Sequence, residues 1–64
     1  MSVDFSILMA VYNDENNINK SIESMLSQSV KNFELLLLDD SSTDNTYSIC
    51  QDYSKSDSRV KLLR

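Results

Sequence analysis

Apolar residues along this chain fall into short unbroken runs and periodic stretches, with polar turns between them. Phe5 to Val11 (FSILMAV) is a compact apolar run, the mark of a buried strand. Tyr12 to Asn17 (YNDENN) is polar and turn-like. Ile18, Ile22, Met25 and Leu26 then recur at helical spacing, which predicts a helix from roughly Glu15 to Ser29 with one apolar stripe. Asn13 or Asp14 is placed to cap it, and acidic residues in its first turn suit the helix dipole. Phe33 to Leu38 is a second apolar run with almost no alternation, which predicts a strand buried on both faces, as in a parallel sheet. Ser42 or Thr43 then caps a second helix, about Asp44 to Ser54, whose stripe is Thr46, Ile49, Cys50 and Tyr53. Val60 to Leu63 (VKLL) begins a third strand.

The order β-α-β-α-β predicts an α/β architecture, a three-stranded parallel sheet with two helices and right-handed crossovers. No repeat, linker or low-complexity tract divides it. Three strands make half of a doubly wound sheet, and the other half would normally cover an edge. Residues 1–64 therefore read as one truncated unit, the N-terminal piece of a larger α/β domain.

Composition narrows the chemistry. A chain of 64 residues is marginal without a staple, and the single cysteine, Cys50, excludes an internal disulfide. With no histidine, a zinc site is not expected. A net charge of -4 with only six scattered basic residues argues against a nucleic-acid surface. No run approaches a membrane span and the start lacks a secretion signal, so a cytoplasmic location is expected. Asn19-Lys20-Ser21 matches a glycosylation triplet, which matters only in secreted chains. Most decisive is the complete absence of glycine, which rules out a P-loop and a dinucleotide fingerprint.

In open α/β sheets, ligands bind beyond the carboxyl ends of the strands. The first strand ends in Tyr12, Asn13, Asp14 and Glu15, and the second in Asp39, Asp40, Ser41 and Ser42. Plainer readings stand beside a ligand site. Tyr12 equally suits a strand-end tyrosine; Asp39 can hydrogen-bond nearby amides and fix the turn; Asp14, Glu15 and Asp44 suit helix starts. Lys20, Lys31, Lys55 and Arg59 read as solvated surface. A calcium loop from Asp40 fails, because Asn45 and Gln51 stand where glycine and glutamate are needed. A receiver-like phospho-signalling domain and a ligand-free structural fragment remain as alternatives. The receiver places its acidic pair after the first strand rather than the second.

Tyr12-Asn13, Leu26-Ser27-Gln28, Asn32-Phe33-Glu34, Asp39-Asp40 and Ser42-Thr43-Asp44 follow one another in order, with DSRVKLLR at the third strand. In order and spacing this resembles the start of the family-2 glycosyltransferases, inverting enzymes of the GT-A fold. This resemblance spans nearly the whole chain. It implies binding of a nucleotide-activated sugar, most often a UDP-sugar, by an enzyme of polysaccharide or glycoconjugate synthesis. By the same resemblance Tyr12 packs on the base and Asp40 accepts a hydrogen bond from the uracil imide, while Ala10, Asp14 and Asp39 line the nucleotide pocket. Two positions depart from the pattern. Ala10 stands where proline is frequent, and Ser41 stands where glycine is frequent, which is tolerable if its φ stays negative. The resemblance also implies a metal-binding Asp-x-Asp motif and a catalytic base beyond Arg64. This segment is therefore expected to hold no cofactor and not to turn over substrate alone; Mg or Mn is expected for the full-length enzyme, which a membrane association would also suit. The incompletely covered LLLL strand further predicts self-association of the fragment.

Overall fold

The computed structural model describes residues 5–27 and 32–64; the expected end of the first helix at Ser29, together with Gln28 and Lys31, lies outside them. Its elements are β1 (Phe5–Val11), α1 (Ile18–Leu26), β2 (Phe33–Asp39), α2 (Thr46–Ser56) and β3 (Val60–Leu63). The sheet order is β1-β2-β3 and both pairings are parallel. The β-α-β-α-β reading is thus met in element order, strand direction and neighbour relations. Val11 pairs with Asp39, and Leu38 with Leu63, so the three strands finish at nearly the same level.

One face of the sheet carries the core. Ile18 and Ile22, four apart on α1, and Cys50 on α2 pack with Val11, Phe33, Leu35, Leu37 and Val60, all buried. Burying each large aliphatic side chain contributes about 1.5–3 kcal/mol, so this cluster carries most of the stability. At the amino ends of the strands, the rings of Phe5 and Phe33 stack 6.0 Å apart and the Arg59 guanidinium lies 5.2 Å from the Phe33 centroid. Cys50 is a core residue and no nucleophile. Burial, and then the negative charge of Asp39, pushes its thiol up to about 11.

Two expectations are corrected. First, both helices begin late. The Asp14 carbonyl accepts the amides of Asn17 and Ile18 at 3.0 and 2.8 Å, closing a turn ahead of α1, so the helix starts at Ile18 rather than Glu15. α2 likewise runs Thr46–Ser56 rather than 44–54, and neither cap residue, Asn17 or Asn45, bonds its helix through its side chain. The polar side chains expected to cap are engaged elsewhere, as shown below.

Second, neither apolar run is a fully buried strand: β1, at the edge of the sheet, buries only Val11, and β2 is buried on one face only. Phe33, Leu35, Leu37 and Asp39 are buried while Leu36 is half-buried and Leu38 exposed. Two crossovers of the same hand, stepping in one direction across a sheet, put both helices on one side. The other side is bare among the described residues. Leu8, Leu36 and Lys61 form one row across it, and Ala10, Leu38 and Leu63 the next. Leu8 is 64% exposed and Leu63 48%. An apolar surface of this kind favours association. The 64-residue chain is expected to sediment as species larger than a monomer, and Leu8→Lys to shift it toward monomer. A single monomeric boundary at moderate concentration for the unaltered chain removes this expectation.

Candidate functional site

The carboxyl ends of β1 and β2 run into two loops that are tied to one another. The Asp40 amide donates to the Val11 carbonyl at 2.9 Å, extending the parallel ladder by one rung. Beyond it the partners become reciprocal. The Asn13 amide donates to Ser42 Oγ (3.0 Å), the Asp14 amide to Thr46 Oγ1 (2.7 Å) and the Glu15 amide to Asp44 Oδ2 (3.3 Å). In return the Thr43 amide donates to Asn13 Oδ1 (2.8 Å) and the Asn45 amide to Glu15 Oε1 (3.3 Å). Each loop supplies acceptors for the other's amides. The half-buried amides of Asp14 and Glu15 need partners, and here the satisfaction is between loops rather than within helices. That is why Asn13 and Ser42 do not cap their own helices.

Asp44 anchors this latch. Burial alone raises its carboxyl, but hydrogen bonds from Thr46 and from the Glu15 amide outweigh burial and hold it below the usual aspartate value.

The two adjacent aspartates have opposite environments. Asp39 is 2% exposed; its carboxylate accepts the Ser42 hydroxyl and the Ser42 amide at 3.1 Å, and Arg64 Nε at 3.2 Å. No buried side-chain polar atom is left unpartnered among the described residues. Asp40 is exposed, and its carboxylate makes no hydrogen bond or ion pair among the described residues. Alternation along β2 explains the contrast: Asp39 continues the core-facing series of Phe33, Leu35 and Leu37, and Asp40 falls on the other side. Like charges in sequence are thereby separated in space, one neutralised by Arg64 and one left to solvent.

Tyr12 follows Val11 as Asp40 follows Asp39, and the Val11–Asp39 pairing makes them neighbours at the carboxyl end of the sheet. Tyr12 is 59% exposed. Ala10 is exposed on β1, two residues earlier, and Asp14 is half-buried, its carboxylate 3.4 Å from Asn17 Nδ2. The structure thus brings Ala10, Tyr12, Asp14, Asp39 and Asp40 to one end of the sheet, with Tyr12 and Asp40 the two whose functional groups have no partner among the described residues.

Sequence reasoning missed Arg64, which follows β3 and reaches back to Asp39. Its Nη2 donates to the Ser42 carbonyl at 3.3 Å and its guanidinium carbon lies 4.0 Å from the Tyr47 ring centroid. The available signal was a cation at the carboxyl end of the third strand, level with four acids. Among the described residues no group of three or more histidine, cysteine, aspartate or glutamate side chains could hold a metal ion. No helix among them is long and apolar enough to cross a membrane.

Ser41 does not meet the condition under which serine is tolerated there without strain: its φ is 59°, and Asn13 has φ 44°. Asparagine tolerates this left-handed region; serine does so at a cost of about 1–2 kcal/mol. Glycine would relieve that strain and lose about 0.4–1 kcal/mol to the freer unfolded chain. Ser41→Gly is therefore expected to stabilise by about 0.5–1 kcal/mol, read as a higher urea midpoint at unchanged slope. A lower midpoint would show that the side chain makes a contribution exceeding its strain.

EpsE of Bacillus subtilis (strain 168), assigned as a glycosyltransferase, is 50% identical over 60 residues, covering 92% of this chain and 22% of its own. An uncharacterised glycosyltransferase of Haemophilus influenzae is 49% identical over 58 residues, 91% of this chain and 23% of its own. The UDP-Glc:alpha-D-GlcNAc-diphosphoundecaprenol beta-1,3-glucosyltransferase WfgD of Escherichia coli is 50% identical over 58 residues, again 91% and 22%. The chain thus spans between a fifth and a quarter of the length of these relatives. The family described as Glycosyl transferase family 2 matches residues 6–64, from the second residue of β1 to Arg64. With the strand order, the paired loops and the acidic pair all inside that match, the chain belongs to glycosyl transferase family 2.

Proposed function

We propose that this chain is the donor-nucleotide-binding segment of a GT-A glycosyltransferase that transfers a sugar from a UDP-sugar to a hydroxyl acceptor with inversion. The observation that carries the reading is the asymmetry of the acidic pair. Asp39 is buried and hydrogen-bonded, while Asp40, its carboxylate without a partner among the described residues, stands beside the exposed Tyr12. A carboxylate only accepts hydrogen bonds, and a uracil imide N–H is a donor of the right kind. An aromatic face under a base contributes about 1–3 kcal/mol in single-stranded nucleic-acid sites, a related geometry. Ala10 and Asp14 line the same end of the sheet. The printed name of WfgD specifies a UDP-Glc donor, which supports the choice of uridine for this chain.

Sugar transfer also needs a group that neutralises the leaving diphosphate and a base that activates the acceptor. The acidic residues at this mouth repel a diphosphate rather than neutralise it, and among the described residues no group of three or more could hold a metal ion. Both functions, including the Mg or Mn site, are assigned here to parts of the enzyme outside these 64 residues. The reading keeps a cytoplasmic setting and a role in polysaccharide or glycoconjugate synthesis.

Calorimetric titration of the enzyme with uridine and UDP tests the site. Tyr12→Ala is expected to weaken uridine by about 1–3 kcal/mol, roughly 5- to 150-fold. Unaltered uridine affinity in that variant would remove Tyr12 from the site.

A further inference from the structure

We propose that Arg64 is a positioning residue that sets base selectivity by clamping both ends of the turn that carries Asp40, an inference that rests on the nucleotide reading above. Its guanidinium bridges two acceptors. Nε donates to Asp39 Oδ2 at 3.2 Å and Nη2 donates to the Ser42 carbonyl at 3.3 Å. Asp39 and Ser42 are the residues that bracket Asp40 and Ser41. The face of the guanidinium lies 4.0 Å from the Tyr47 ring in the first turn of α2, which holds its plane. One side chain thus joins the ends of β2 and β3 to the start of α2.

The turn needs such a clamp. Ser41 sits at φ 59°, a conformation that persists only when its surroundings over-determine it. Asp40 has no side-chain partner of its own among the described residues, so its direction is set by the turn. A planar fork fixes two acceptors at once, which a point charge on a flexible stem does not. Arg64 therefore acts on the base through Asp40 without touching it.

The test uses the full enzyme and three forms: unaltered, Arg64→Met, which keeps the stem and loses the fork, and Arg64→Lys, which keeps only the charge. The Arg64 side chain is 48% exposed, so the fold is expected to survive both changes. Without ligand, Arg64→Met is expected to speed amide exchange at Ser42 and Thr43 by about tenfold, the size of one net hydrogen bond, while exchange in the β2 core stays unchanged. With ligand, the preference for uridine over cytidine is expected to fall by about fivefold to tenfold in Arg64→Met, and Arg64→Lys to recover less than half of it. Unchanged exchange at Ser42 and Thr43 overturns the clamp. Faster exchange with an intact uridine-to-cytidine ratio reduces Arg64 to a structural residue and overturns the proposal equally. Failure of the unaltered enzyme to bind uridine is a separate result: it refutes the nucleotide reading itself, and the selectivity role falls with it.

Discussion

Asp40→Asn is expected to abolish discrimination between uridine and cytidine while leaving stability almost unchanged. Uracil presents an imide N–H where cytosine presents a lone pair, and a carboxylate accepts the first and repels the second. Asparagine can turn either its carbonyl or its amide toward the base, so it suits both. A hydrogen bond to a charged group contributes about 1.5–3 kcal/mol against about 1 kcal/mol for a neutral one. The uridine preference should therefore fall by roughly 1–3 kcal/mol, about 5- to 150-fold, part lost from uridine and part gained by cytidine. Because the Asp40 carboxylate bonds nothing among the described residues, the urea midpoint should move by less than about 0.5 kcal/mol in equivalent energy. Titrating both nucleosides against both proteins decides it. An unchanged ratio would place the base elsewhere.

Asp39→Ala is expected to do the reverse, destabilising the chain by about 3 kcal/mol. It removes the acceptor for the Ser42 amide, the Ser42 hydroxyl and Arg64, and leaves buried donors at a site that is 2% exposed. Each unsatisfied buried donor costs about 1–3 kcal/mol. The ion pair itself adds little to that figure, since half of Arg64 is in water. Native domains have only about 5–15 kcal/mol in hand and small ones lie at the lower end, so this loss brings the chain to the edge of unfolding. Asp39→Asn keeps an acceptor for Ser42 and should cost less than half as much. The check is urea unfolding of Asp39→Ala beside Asp40→Ala. Equal midpoints would contradict the division of labour between the two aspartates, because the same substitution one residue apart should then differ severalfold.

Much of this was legible beforehand, for identifiable reasons. FSILMAV and FELLLLD are short apolar runs that read as strands, although β1 buries only Val11 and β2 only one face, and Ile18–Ile22 and Thr46–Cys50 are four-residue steps that only a helix turns to one side. That the ends of β1 and β2 lie together follows once adjacent parallel strands are assumed, and the Val11–Asp39 pairing bears that assumption out; the choice of Tyr12 and Asp40 within them comes from the family resemblance. The helix starts were misplaced because Asn13 and Ser42 look like caps in one dimension; they bond across the two loops, over separations of about 30 residues that no local pattern displays. Arg64 was overlooked for the same reason, 25 residues from its partner Asp39.

Period, order and composition alone dictate the alternating strands and helices, the parallel direction and the exclusion of glycine-dependent phosphate loops, because these follow from local sterics and short connections. Tertiary structure decides which of two neighbouring carboxylates is buried and which is offered to a ligand, which face of the sheet stays bare, and that a serine takes a left-handed turn. Those outcomes depend on the level at which three strand ends meet and on where one arginine reaches, and both are long-range contacts.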